Sequence, residues 1–155
     1  MQYRSENHKT HFVVGISIRT SNEENRFQHD APPLWERFFL ENLIQKIPHR
    51  IHQNLMAVYT DYESDYTKPF TYIIGCEVSA IQVIPDGMVG IEIPPSHYSL
   101  FTATGEFPQS LVRTWDAIWK SDVRRSYTTD FEMYPSEFPS RKNPEVTVYI
   151  ATDTQ

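Results

Sequence analysis

The chain has 155 residues, of which 39% are hydrophobic, 14% aromatic and 22% charged, and 14 basic against 20 acidic residues leave a formal net charge of −6. That size predicts one domain with a real core and argues against global disorder, while the acidic balance and the absence of any lysine or arginine run argue against direct nucleic-acid binding. MQYRSENHKTH lacks the apolar core of a signal peptide, and no apolar run approaches the ~20 residues of a membrane span, so the chain is expected to be soluble and cytoplasmic, with no membrane partner.

In chain order, residues 1–11 read as a polar N-terminal segment and 12–155 as a single domain. FVVGISIR (12–19) is β-branched and predicts a strand. TSNEENRFQHDAPP (20–33) is polar, ends in two prolines and predicts a loop. LWERFFLENLIQKI (34–47) predicts a helix: Leu34, Trp35, Phe38, Phe39, Leu43, Ile44 and Ile47 recur at three- and four-residue steps. Pro32 and Pro33 suit its start and Pro48 its end. LMAVYTDYES (55–64) and FTYIIGCEVSA (70–80) predict a strand hairpin across the turn SDYTKP.

The second part follows the same order. MVGIEIPP (88–95) and HYSLFTATG (97–105) predict strands. SLVRTWDAIWKS (110–121) predicts a helix with Leu111, Trp115, Ile118 and Trp119 on one stripe. RSYTTDFEMY (125–134) and EVTVYIATD (145–153) predict two more strands.

Halves of about 12–80 and 88–153 therefore each read strand-helix-strand-strand. Trp35-Glu36-x-x-Phe39 parallels Trp115-Asp116-x-x-Trp119, Thr60-Asp61-Tyr62-Glu63 parallels Thr129-Asp130-Phe131-Glu132, and Tyr72-Ile73 parallels Tyr149-Ile150. Three matches in order imply an internal repeat. Two such units joining their sheets predict an α+β domain: one antiparallel sheet, two main helices and a pocket between pseudo-twofold halves.

Strand alternation puts Thr128, Asp130, Glu132 and Tyr134 on one side of their strand, and Tyr127, Thr129, Phe131 and Met133 on the other. The second set is more apolar and is expected to face the helices. Glu132 beside aromatics would attract a cationic or donor-bearing ligand; read blandly, it is a solvated strand residue. Asp61 and Glu63 read as solvated acids at a strand edge.

Cys76, the single cysteine, lies among apolar strand residues and reads as buried core, not as a nucleophile. His49 and His52 have no acidic or cysteine partner nearby, so no metal site is expected; His97 reads as a strand start, and His8, His11 and His29 as surface residues. With 5 glycines and no GxGxxG, Walker or Gly-x-Ser-x-Gly pattern, neither a nucleotide cofactor nor a serine hydrolase is implied. Trp115 reads as core packing; Trp119 is open between core and pocket wall.

VVGISIRTSN, LWERFF, AVYTDYESD, YIIGCEV, IPPSHYSLFTATG, WDAIW, YTTDFEMY and VTVYIA, spanning about 12–152, together resemble the GyrI-like (gyrase-inhibitory-protein-like) effector-binding domains, which also form the ligand-sensing part of AraC-type and MerR-type multidrug regulators. The resemblance implies a pocket between the halves, with Glu132 as the ligand-contacting acid and aromatic walls from Trp119, Tyr134 and Tyr149, with Trp35 and Phe39. It implies bulky, aromatic, often cationic ligands and no cofactor. No DNA-binding segment precedes residue 12, so a stand-alone effector-binding protein is expected. Two alternatives remain open. One is a hydrolase of the same fold that opens strained cyclopropane rings of DNA-alkylating natural products, with Glu132 and Tyr134 as its catalytic pair. The other is a protein-interaction module that meets gyrase or a separate regulator.

Overall fold

The computed structural model describes residues 3–153. Its strands are β1 (Arg4–His8), β2 (His11–Thr20), β3 (Leu55–Thr60), β4 (Phe70–Val78), β5 (Val89–Ile93), β6 (Ser96–Ala103), β7 (Thr129–Tyr134) and β8 (Val146–Thr152). Its helices are α1 (Arg26–Leu40) and α2 (Gln109–Lys120). The strands form one antiparallel sheet in the order β1-β6-β8-β7-β3-β4-β2-β5. The order β2-α1-β3-β4 recurs as β6-α2-β7-β8, and β3 pairs with β7 where the two blocks meet. The expected α+β layout holds. None of the helices is long and apolar enough to cross a membrane.

Three expectations need correction. The N-terminal segment is not merely polar: residues 4–8 form an edge strand on β6. The helix expected from residue 34 begins at Arg26 and carries both prolines inside it. Each proline removes a helix hydrogen bond, but the earlier start places Phe27 and Ala31 on the stripe of Leu34 and Phe38, against the core. The helix also stops at Leu40, and a separate short 3-10 turn covers Leu43–Lys46.

The third correction concerns the faces of the sheet. Alternation grouped the residues of β7 correctly, but it is the Glu132 set that faces the helices. Tyr59, Tyr72 and Tyr134 pack there with Ala31, Leu34 and Phe38. Phe131 belongs to a second core on the opposite face, with Val13, Met56, Val58, Ile73, Tyr98 and Leu100. No helix covers that second core, yet these residues are at most 2% exposed.

The chain path explains how. His8 and His11 are three residues apart, a reach of at most about 11 Å. Their strands are six places apart in the sheet order, roughly 29 Å across a flat sheet. The sheet must therefore curl until its ends approach, and its inner face buries itself. Gly15 and Gly75 are paired directly across β2 and β4. A Cβ on Gly15 would fall on the carbonyl oxygen of Ile74 and lie 2.7 Å from the Gly75 Cα. Bare backbone at this point lets the two strands close.

Side chains clasp the curl. Glu6 Oε1 meets His8 Nε2 at 2.8 Å, His8 Nδ1 meets His11 Nε2 at 2.9 Å, and His11 Nδ1 meets Glu77 Oε2 at 2.6 Å. His52 Nε2 reaches Glu77 Oε1 at 3.0 Å. His8 and His11 are thus part-buried partners, not surface residues. Burial pushes the Glu77 carboxyl up, but hydrogen bonds from His11 and His52 outweigh it and hold it below its ordinary 4.5. An acid held low in the folded state stabilises above its unfolded pKa and loses that contribution as pH falls through the folded one. The urea midpoint of the wild type is therefore expected to fall more steeply than that of Glu77→Gln as pH drops below about 4.5. Parallel curves would remove this role.

Candidate ligand pocket

β7 lies in the middle of the sheet, between β3 and β8, with α1 and α2 packed over its helix-facing residues. Glu132 points into that layer and is 1% exposed. Three neutral donors hold its carboxylate. Tyr59 Oη donates to Oε2 at 2.8 Å, Trp115 Nε1 to Oε2 at 2.7 Å, and Tyr134 Oη to Oε1 at 2.6 Å. Burial pushes the Glu132 pKa up; the three hydrogen bonds pull it down, and burial prevails. Burial also drives Tyr59 and Tyr134 well above the ordinary phenol range, so both remain O–H donors.

These groups line a cavity of about 520 Å³ between the helices and the sheet. Trp35, on α1, forms one wall: its Nε1 donates to Tyr72 Oη at 2.9 Å, and its ring meets Tyr134 edge-on at 5.0 Å. Trp119, one turn beyond Trp115 on α2, is 45% exposed and stacks on Tyr66 at 5.6 Å. That stack forms part of the rim, and a neighbouring depression of about 410 Å³ shares it.

A second buried charge lines the cavity. Arg125 Nη2 donates to Asp130 Oδ2 at 2.9 Å; Asp130 also accepts from Tyr62 Oη and, on Oδ1, from the Ala151 N–H at 2.7 Å. This pair balances its own charge, which leaves Glu132 as the buried carboxylate here whose partners are all neutral.

Of the expected site residues, Glu132, Tyr134, Trp35 and Trp119 converge on this cavity. Phe39 and Tyr149 do not. Phe39 stacks on Trp35 from behind at 5.8 Å. Tyr149 lies on the opposite face of the sheet, stacked on Phe131 at 4.4 Å. Its partner across β7 is Phe131, whereas Glu132 pairs with Val148, so one residue of register removes it from the pocket. Sequence reasoning missed Tyr59, Tyr72, Trp115 and Arg125. The tyrosines follow from pairing: Tyr59 stands two residues beyond Ala57, the partner of Glu132. Trp115 carries an indole donor that a core reading leaves without an acceptor. Arg125 gave no signal.

Cys76 is fully buried and its thiol is pushed up to about 11 by burial, as befits core. His97 is the second residue of β6 and hydrogen-bonds Thr152 Oγ1 at 2.7 Å. Among the described residues no group of three or more His, Cys, Asp or Glu is placed to hold a metal ion.

Comparison with known proteins sets the chain in a family. Residues 6–152 match the family model described as Cass2, integron-associated effector binding protein. The chain is 28% identical over 153 residues to the putative transcriptional regulator protein YobU of Bacillus subtilis (strain 168), covering 93% of this chain and 96% of that one. An integron cassette protein from the mobile metagenome of Vibrio cholerae superposes with a TM-score of 0.77 at 29% identity, over 97% of this chain and 95% of that one. SAV2435, solved bound to tetraphenylphosphonium, superposes with a TM-score of 0.80 over 99% and 94% of the two chains; at 16% identity it speaks for the fold alone.

Proposed function

Because the chain belongs to the Cass2 family of integron-associated effector-binding proteins, we propose that it captures bulky, aromatic, cationic small molecules in the cavity between its helices and its sheet, with Glu132 as the anchor. The observation that carries this reading is the state of Glu132. It is a fully buried carboxylate whose hydrogen-bond partners are all neutral. Desolvation of an unpaired charge is costly, and a lipophilic cation entering the cavity would offset that cost. The indoles of Trp35, Trp115 and Trp119 and the phenol rings of Tyr59 and Tyr134 offer faces for a planar ligand and add cation–π attraction. A cavity of about 520 Å³ suits a drug-sized molecule. The tetraphenylphosphonium held by the structural relative SAV2435 is a molecule of this chemistry.

Titration of tetraphenylphosphonium into the purified protein, followed by calorimetry and tryptophan fluorescence, is expected to give one saturable site from which a cationic dye is displaced. The affinity is also expected to rise with pH. The Glu132 carboxyl titrates above 4.5, and only its ionised form attracts the cation. Absence of saturable binding overturns the reading. Recovery of chemically altered ligand would favour the hydrolase alternative.

A further inference from the structure

Arg125 is a buried charged group of this cavity that cation capture does not use. Its side chain is 6% exposed. Nη2 is engaged by Asp130 at 2.9 Å and approaches Tyr62 Oη at 3.5 Å. The guanidinium carbon lies 4.4 Å from the ring centre of Tyr127 and 5.7 Å from that of Trp115. Nε and Nη1, by contrast, have no hydrogen-bond partner among the described residues. Asp130 accepts from Tyr62, from the Ala151 N–H and from Arg125 Nη2, and from neither of those two nitrogens.

A guanidinium carries its N–H groups in one rigid plane, and Nε–H and Nη1–H leave different edges of it, so a single acceptor meets one of them. Buried donors without acceptors cost the desolvation of each group, and folded proteins rarely tolerate them outside functional sites. Here they belong to a residue that lines the ligand cavity. Their charge is already balanced by Asp130, so a neutral oxygen acceptor fits better than a second anion. Both atoms are closed to solvent, so an acceptor reaches them only when a neighbouring ring gives way. Tyr127 is suited to this: it is partly exposed, lies in the irregular stretch between α2 and β7, and holds a left-handed backbone (φ 54).

We propose that Arg125 is a second anchor of the pocket, which donates to a carbonyl oxygen of the ligand from one of its two unmatched groups, Nε–H or Nη1–H. The inference rests on the effector-binding reading above and narrows it. Preferred ligands pair a cationic aromatic body with an ester or amide carbonyl, so that one end of the molecule answers Glu132 and the other answers Arg125.

Two probes separate these roles. Rhodamine 6G is a cation with an ester carbonyl; tetraphenylphosphonium is a cation with no acceptor. Arg125→Lys keeps the charge and a partner for Asp130 but loses the Nε–H and Nη1–H donors. Its affinity for rhodamine 6G is expected to fall about tenfold or more, as for loss of a charge-assisted hydrogen bond, with tetraphenylphosphonium affinity unchanged. If Arg125→Lys does not fold, the double variant Arg125→Met/Asp130→Asn, which removes both charges together, is expected to give the same contrast. Equal losses for the two probes, or none, overturn the proposal while leaving cation capture standing. A wild-type protein that binds neither probe overturns both.

Discussion

Glu132→Gln is expected to weaken tetraphenylphosphonium binding by about 1–3 kcal/mol while leaving the protein folded. Glutamine has the same shape as glutamate, and its amide oxygen can still accept from Trp115 and Tyr59 at the Oε2 position. At the other position the amide offers N–H groups to Tyr134, whose hydroxyl can rotate to accept. The fold keeps its hydrogen bonds and loses only the charge. Glu132→Leu removes the acceptor altogether. It strands two phenol hydroxyls and an indole N–H in a largely buried site, at about 1–3 kcal/mol for each unmatched donor. Thermal melts should therefore separate the variants, with Gln near the wild type and Leu far below it. Calorimetry should show the Gln variant losing both the affinity and its dependence on pH. Undiminished cation affinity in Glu132→Gln would remove this residue as the anchor.

The second large effect is expected far from any ligand. Gly75→Val should prevent folding, and Gly75→Ala should cost about 3 kcal/mol or more. A Cβ on Gly75 would fall on the Val14 carbonyl oxygen and lie 2.8 Å from the Gly15 Cα. Both obstacles are backbone, so no side-chain rotation relieves them. The strands would have to separate, and β2 pairs with both β4 and β5. Urea titration of Gly75→Ala tests this directly. A midpoint close to the wild type would mean that the strands yield more easily than their geometry implies. Gly87→Ala, whose added carbon would meet only the end of the Arg37 side chain at 3.7 Å, controls for loss of a glycine as such, although its φ of 81 adds some strain of its own.

Most of the architecture was legible because strand alternation and helix periodicity are local signals. Seven of the eight strands and the two helices follow from them; the edge strand Arg4–His8, polar along its length, does not. What alternation leaves undetermined is which face is which. In β7 both sets of residues are buried, since the sheet has a core on each side, and the more apolar set lies on the side without helices. The same gap misplaced Tyr149. The match of Tyr72-Ile73 to Tyr149-Ile150 looked like one position in two copies, but Tyr72 faces the helices and Tyr149 faces away. TDYE and TDFE are not equivalent either. The first begins at Thr60, where β3 ends, and its Asp61 turns out of the strand at φ 50; the second begins at Thr129, where β7 starts. The two threonines face each other across the joint, with their hydroxyls 2.8 Å apart. Asp61 and Glu63 are exposed, as expected of a strand edge. Glu132 was legible by resemblance. The donors that hold it come from three separate elements, and no local pattern ties those together.

The histidine clasp across the curled sheet has a consequence in protons. His52 donates from Nε2 to Glu77 and accepts the Asn54 N–H at Nδ1. His8 must donate to Glu6 and His11 must donate to Glu77, which leaves one hydrogen for the contact between the two rings. That hydrogen lies between a ring carried by β1 and a ring carried by β2, so two strands six places apart in the sheet order meet through it. Two distant strands of the sheet are joined, at this point, by the whereabouts of one proton.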